Sequence, residues 1–291
     1  MTGLHPELVA DLGAELLEAP VWDADQASLL CVDILAGVVH RWCPGSGART
    51  VLRLDRPIGA ALPRAGGGLV LAARGGIAVA DDDGGPSRLL VPIDEDRPRN
   101  MMNDAKCDPW GRLWAGTIDE DERVGAGRLH RIDPDGTSRA VIEGVTISNG
   151  LGWSPDGSRM FYVDSPTCRI DQFDYDGATG EISGRRVFAE PVGGGGAVPD
   201  GLAVDAEGAV WVALWGGSRV ERYVDGRLDE SIELPVSHVT SCAFGGPTLD
   251  ELFVTTAALD AEHERSRGAG GLFRCRPGVR GTAVSPFGVD E

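Results

Sequence analysis

The stretch Asn149-Gly150-Leu151-Gly152-Trp153-Ser154-Pro155-Asp156-Gly157-Ser158-Arg159-Met160-Phe161-Tyr162-Val163 decides the fold. It opens on a polar residue, runs through small and apolar residues, turns at Pro-Asp-Gly and re-emerges as an apolar, aromatic-rich run. Short runs of this kind bounded by turn residues are strand signals, whereas a helical period is not sustained here or elsewhere in the chain. A second copy follows, with Asp200-Gly201-Leu202-Ala203-Val204, the turn Asp205-Ala206-Glu207-Gly208, and Val210-Trp211-Val212-Ala213. Working outward, the unit recurs six times, opening on Glu18, Gly59, Asn103, Asn149, Asp200 and Ser241. An apolar residue stands 11 or 12 positions after each opener: Leu30, Val70, Trp114, Phe161, Trp211 and Phe253, spaced by 40, 44, 47, 50 and 42 residues. Further strands follow within each unit, as in Gly127 to Ile132 closed by Asp133-Pro134-Asp135-Gly136. That period predicts an all-β, six-bladed β-propeller filling residues 1–291 as a single domain. The apolar stretch at 11–17 is expected to pair with strands around Leu272 and Phe273 and so close the ring.

Composition agrees with a packed β domain. The 42 glycines and 18 prolines fall between apolar runs where turns are needed, and 42% hydrophobic content can fill a core. A net charge of -18 argues against a nucleic-acid partner or a polybasic membrane anchor and favours a cation or a neutral small molecule. The acidic run Asp81-Asp82-Asp83 and the segment Asp174-Tyr175-Asp176-Gly177 read as hairpin turns; the latter has its glycine at the wrong offset for a calcium loop. Gly193 to Gly196 reads as a loop near the channel mouth, since no helix follows to build a phosphate cradle. Six cysteines with no C-x-x-C pair read as buried reduced thiols. The start of the chain lacks a basic segment followed by an apolar core, and no run approaches membrane-spanning length, so a soluble cytoplasmic protein is expected. Composition and repeat leave the oligomeric state open.

The innermost strand of a propeller blade lines the central channel, so the openers are expected to face one another near one end. Two carboxylates there, Glu18 and Asp200, would repel by about 3 kcal/mol at ~5 Å and an effective dielectric near ~20. Protonation of one carboxyl or a bound cation relieves that repulsion; Asn149, which ligates without adding charge, favours the cation. Oxygen ligands without histidine or cysteine point to a hard divalent ion, Ca²⁺, Mg²⁺ or Mn²⁺, with Zn²⁺ compatible but not indicated. A water-filled polar channel is the competing reading. Ser241 has no His-Asp partnership in sequence and reads as a channel hydroxyl, not a nucleophile. His263 reads as an exposed loop residue and His238 as a strand-edge residue close to the pocket. Lys106 is the only lysine, so a Schiff-base mechanism would rest on it alone.

The chain resembles the senescence marker protein, gluconolactonase and luciferin-regenerating enzyme family, which includes regucalcin. The resemblance is carried by Glu18-Ala19-Pro20-Val21-Trp22, by Asn103-Asp104-Ala105-Lys106-Cys107-Asp108-Pro109-Trp110-Gly111 through Thr117, by Ser148-Asn149-Gly150-Leu151, by Pro199-Asp200-Gly201-Leu202, by Thr240-Ser241-Cys242-Ala243-Phe244-Gly245 and by the ending Gly278-Val279-Arg280-Gly281. It implies a six-bladed propeller holding one divalent ion, Ca²⁺ before Mg²⁺, Mn²⁺ or Zn²⁺, on Glu18, Asn149 and Asp200. It implies Asn103 beside the substrate or a metal-bound water and Asp200 as the proton-transfer residue of a metal-dependent lactonase acting on a sugar-acid or related lactone. Met101 stands where many members have arginine, with Arg99 the nearest guanidinium, and Asp121 stands where regucalcin-like members have glutamate; Met101, Arg99 and Asp121 are therefore the expected substrate-facing departures. Hydrolysis of another activated ester or an organophosphate, and calcium binding without turnover, are the alternatives. An interaction scaffold of the WD40 type is disfavoured because the Trp22-Asp23 dipeptide does not recur at blade period.

Overall fold

A computed structural model describes residues 5–82, 84–191 and 196–288. The chain is an all-β, six-bladed propeller, each blade a four-stranded antiparallel sheet, with almost no helix. The innermost strands are Leu17–Asp23, Ile58–Pro63, Asn100–Cys107, Ser148–Trp153, Val198–Val204 and Val239–Gly245. We number the blades one to six by these strands, and each of the six openers falls within one of them. Pairing with the second strand shifts register at or beside the opener in every blade: between Glu18 and Val21, Ile58 and Ala60, Met102 and Ala105, Asn149 and Leu151, Pro199 and Leu202, and Val239 and Ser241. Such irregularities re-aim a side chain out of the pleat. The opener of blade two is a glycine for a steric reason, because a Cβ on Gly59 would lie 2.2 Å from the Asn103 carbonyl oxygen of the next blade.

The turns that set each hairpin are built by a recurring carboxylate. Asp108 Oδ1 accepts the backbone N–H groups of Trp110 (2.8 Å) and Arg112 (3.0 Å), and its Oδ2 accepts the Trp114 indole at 3.3 Å. Asp205 repeats this in blade five with Glu207, Ala209 and the Trp211 indole at 3.0, 2.9 and 2.9 Å. Trp114 and Trp211 are fully buried, so the turn and the core are fixed by one side chain. Ser154 starts the equivalent turn of blade four, its Oγ accepting the Arg159 N–H at 3.0 Å.

Ring closure differs from expectation in its phase. The strand that joins blade six is Glu7–Ala10, paired with Leu272–Cys275, and not residues 11–17. Gly13, at φ 57°, breaks the strand, and the backbone N–H groups of Glu15 and Leu16 instead donate to the Asp33 carboxylate. The hairpin turn read at Asp174–Gly177 begins later, at 177–180: Asp174, Tyr175 and Asp176 end the strand Ile170–Asp176, and Asp176 Oδ1 accepts the Ala178 N–H at 2.9 Å to start the turn. Asp82 does more than solvate a turn, since its carboxylate accepts from Gly68 N and from Arg41. Asp83, and the glycine loop apart from Gly196, lie outside the described residues. All six cysteines are free; four are buried, Cys43 is half-buried, and Cys168, against expectation, is exposed because it occupies a left-handed cap after the short turn Ser165–Thr167. Among the described residues no helix is long and apolar enough to cross a membrane.

Candidate active site

The start of each innermost strand opens toward the same end of the bore, and there the structure holds a cavity of about 430 Å³. Glu18, Asn103, Asn149 and Asp200 line it together. Three of the four, Glu18, Asn149 and Asp200, are buried, and Asn103 is half-buried. Gly59 carries no side chain, and Ser241 is buried against Gly201, where an added Cβ would sit 2.0 Å from its Oγ.

The amides are fixed by one another. Asn103 Nδ2 donates to Asn149 Oδ1 at 2.7 Å and to the Ser148 carbonyl at 2.9 Å, which uses both of its amide hydrogens. Asn149 Nδ2 donates to Ser165 Oγ at 2.8 Å. The Asn149 oxygen is thereby oriented and keeps a second lone pair. Asn103 lines the cavity with its amide nitrogen committed to blade four, so that only Oδ1 remains to meet a ligand.

The carboxylates are in the opposite condition. Asp200 Oδ1 is buried and has no hydrogen-bond partner, an arrangement that costs free energy unless something neutralises it. Burial, then the charges of Glu18 and Asp104, push the Asp200 carboxyl well above its ordinary range. Burial and Asp104 push Glu18 up to about 8, against the lowering effect of the Ala19 N–H, which donates to Glu18 Oε2 at 2.6 Å, and of Lys106. Ala19 sits at φ 46°, the left-handed backbone that turns its N–H back onto Glu18.

Two further groups shape this field: Asp104, to which the sequence reading gave no role, and Lys106, which it considered only for Schiff-base chemistry. Asp104 is buried beside Asn103, and burial raises its carboxyl against the opposing Lys106. Lys106 is pulled down by burial and donates to the Leu202 carbonyl at 2.7 Å. It lines a separate pocket at the other end of the bore, where the innermost strands finish and Thr282 to Ser285 cross them, so the single lysine is not placed for Schiff-base chemistry in the main cavity.

Met101, Arg99 and Asp121 do not line the cavity. Arg99 is paired with Asp121 on the surface, where both are exposed, and Met101 lies half-buried opposite Ile118. The tight turn that starts at Asp119, with the Glu122 N–H donating to the Asp119 carbonyl at 2.8 Å, carries Glu122 and not Asp121 to the cavity. Trp215 also lines it, its ring stacked on His238 with centroids 4.1 Å apart. His238 therefore backs the wall, while His263 is exposed as expected. A signal for these rim residues exists in the repeat: four positions after Leu30, Trp114, Phe161 and Trp211 stand Ile34, Ile118, Ser165 and Trp215, and all four line the cavity.

Among the described residues no three His, Cys, Asp or Glu side chains converge as a ligating group. An ion here would rest on two carboxylates and an amide oxygen, a donor set suited to a hard cation. The orphaned Asp200 oxygen and the raised carboxyls fit such an ion, because a positive charge would relieve both.

Residues 16–258 match the model of the SMP-30/Gluconolactonase/LRE-like region. The chain is 35% identical over 299 residues to regucalcin of Xenopus laevis, covering 99% of each. Its fold superposes on a luciferin-regenerating enzyme with a TM-score of 0.91 at 32% identity, covering 99% of this chain and 100% of that one. It also superposes on a protein of Agrobacterium tumefaciens described as a calcium-binding protein, regucalcin, with a TM-score of 0.92 at 27% identity, covering 99% and 98%.

Proposed function

The chain belongs to the SMP-30/gluconolactonase/LRE-like family, and from that premise we propose that it is a divalent-metal-dependent hydrolase that opens a small lactone to its hydroxy acid. The observation that carries the reading is the buried, unpartnered Oδ1 of Asp200 in a cavity shared with Glu18, Asn149 and Asn103.

Glu18, Asn149 and Asp200 would hold the ion, Ca²⁺ first among the candidates. When bound, it supplies Lewis-acid polarisation of the lactone carbonyl. Asp200, buried at the floor of the cavity with an unpartnered Oδ1, serves as the base that takes a proton from the attacking water. The water oxygen bonds to the acyl carbon, the bond from that carbon to the ring oxygen breaks, and the ring oxygen leaves with a proton as the new hydroxyl. Asn103 holds Asn149 in register and presents Oδ1 to the substrate. The acidic surroundings favour a neutral substrate and departure of the carboxylate product. The same constellation is suited to another activated ester or an organophosphate.

The test is acid release from a panel of lactones after chelation and after adding back single divalent ions, with Asp200→Asn in parallel. Loss on chelation, selective rescue and an inactive variant are expected. Tight ion binding with no hydrolysis of any ester would instead support the second reading, a calcium-binding protein without turnover, which the description of the Agrobacterium tumefaciens relative favours.

A further inference from the structure

The wall above the four polar residues is apolar in a pattern imposed by the repeat. Two positions before the openers stand Leu16, Pro57, Met101, Ile147, Val198 and Val239, an apolar residue in all six blades. The register shift at each opener interrupts the two-residue alternation of the strand, so only part of this tier faces the cavity: Pro57 and Met101 do not line it, and Val239 is fully buried in the core. Leu16, Ile147 and Val198 line the cavity. A second tier comes from the rim residues Ile34, Ile118 and Trp215.

The two tiers are joined by pairing. Met101 lies opposite Ile118, Ile118 bridges to Ile147 of the next blade, and Val198 lies opposite Trp215. The Trp215 ring is held flat against His238, 8° from parallel, and His238 Nδ1 bonds to the Leu259 carbonyl at 2.9 Å. Trp215 is thus a fixed apolar plate. The charged side chains lining the cavity are all carboxylates, Glu18 and Asp200 on the floor with Glu122 and Asp260 beside the collar, and no lysine or arginine joins them among the described residues.

A polyhydroxylated ring would set its hydroxyls against Leu16, Ile147, Val198 and Trp215, stripping water from them without replacing the hydrogen bonds. An anionic substrate would meet Glu122 and Asp260. A neutral ring with an aliphatic branch has neither problem, and about 430 Å³ accommodates ring and branch together. Building on the lactonase reading above, we propose that the substrate class is a neutral lactone carrying an alkyl substituent, its carbonyl on the floor of Glu18, Asn103, Asn149 and Asp200 and its chain against the collar of Leu16, Ile147, Val198 and Trp215.

The test uses the metal-loaded protein and a homologous series of γ-lactones bearing hydrogen, ethyl, butyl or hexyl at the γ-carbon, with D-glucono-δ-lactone for comparison. The matching γ-lactams, which resist hydrolysis, report binding by calorimetry. We expect kcat/KM to rise, and lactam Kd to fall, roughly fourfold per added methylene until the chain meets solvent, with the longer γ-lactones outrunning the sugar lactone. Ile147→Asn should flatten both slopes and Ile147→Leu should keep them. A flat alkyl series with the sugar lactone hydrolysed fastest would overturn the collar assignment and leave the lactonase reading standing. If no lactone is hydrolysed, the lactonase reading falls, and the lactam series still decides the collar: affinity independent of chain length overturns it, and tightening with chain length upholds it.

Discussion

Asn103 donates its side-chain amide to Asn149 Oδ1 at 2.7 Å, tying blade three to blade four at the floor of the cavity. The oxygen it fixes belongs to one of the three groups proposed to hold an ion. Groups that orient a metal ligand typically account for about 10- to 100-fold in affinity. Asn103→Ala should therefore weaken divalent-ion binding by about that factor in calorimetry, while the half-buried position keeps the melting temperature close to wild type. Unchanged affinity would mean that Asn149 is oriented by Ser165 alone.

Asp200→Asn separates function from stability. The variant loses the proposed base, so turnover should fall by about 10²- to 10⁴-fold. It also removes a buried carboxyl whose Oδ1 lacks a partner and whose ionised form burial and Glu18 disfavour. The metal-free variant should accordingly melt at a higher temperature than metal-free wild type, as when a strained functional site is relaxed. A lower melting temperature would show that the carboxylate is satisfied in the free protein.

The Glu18 carboxyl gives the metal-free protein a defined pH response. Its pKa is raised from 4.5 to about 8 by burial and by Asp104, so between those values the folded chain binds more protons than the unfolded one. Stability from this group is complete below about 4.5 and is lost as pH rises to about 8. A divalent ion must displace that proton. Because the Asp200 carboxyl is raised as well, apparent ion affinity should then rise with pH by about tenfold per unit or more up to that value, with proton release seen as a buffer-dependent heat. Binding enthalpy independent of the buffer would contradict it.

The propeller was legible because its period is long and its openers are polar: six positions chosen from spacing all fall on innermost strands. The floor of the cavity followed from the same period, since equivalent positions in a ring face one axis. Residues whose phase the period does not set were harder to read. Asp121 and Glu122 sit in a loop after the second strand, where one residue of turn geometry decides which carboxylate faces inward. The Arg99–Asp121 pair depends on a surface contact between two loops. The closing strand Glu7–Ala10 is only four residues long, and its position is set by Gly13 and the Asp33 carboxylate, contacts with no counterpart in the repeat.

The recurring turn carboxylates make a test of the fold itself. Asp205 is fully buried and accepts from Glu207 N, Ala209 N, the Trp211 indole and Arg222 Nε, the last at 3.0 Å. Removing it leaves three N–H groups without an acceptor and takes from Arg222 one of three carboxylate partners, Glu207 and Asp229 remaining at 2.6 Å each. Each buried donor left unpaired costs about 1–3 kcal/mol, so Asp205→Ala, which unpairs three, should lower the melting temperature by roughly 6 °C or more for a chain of this size. Asp205→Asn, which keeps one acceptor oxygen for the turn but sets an amide N–H₂ against the indole or the guanidinium, should fall between. Asp108 holds the same place in blade three and shares no partner with Asp205. Alanine at both sites should therefore cost the sum of the two single losses in denaturant unfolding. A combined loss well below the sum would mean that the two turns open as one unit.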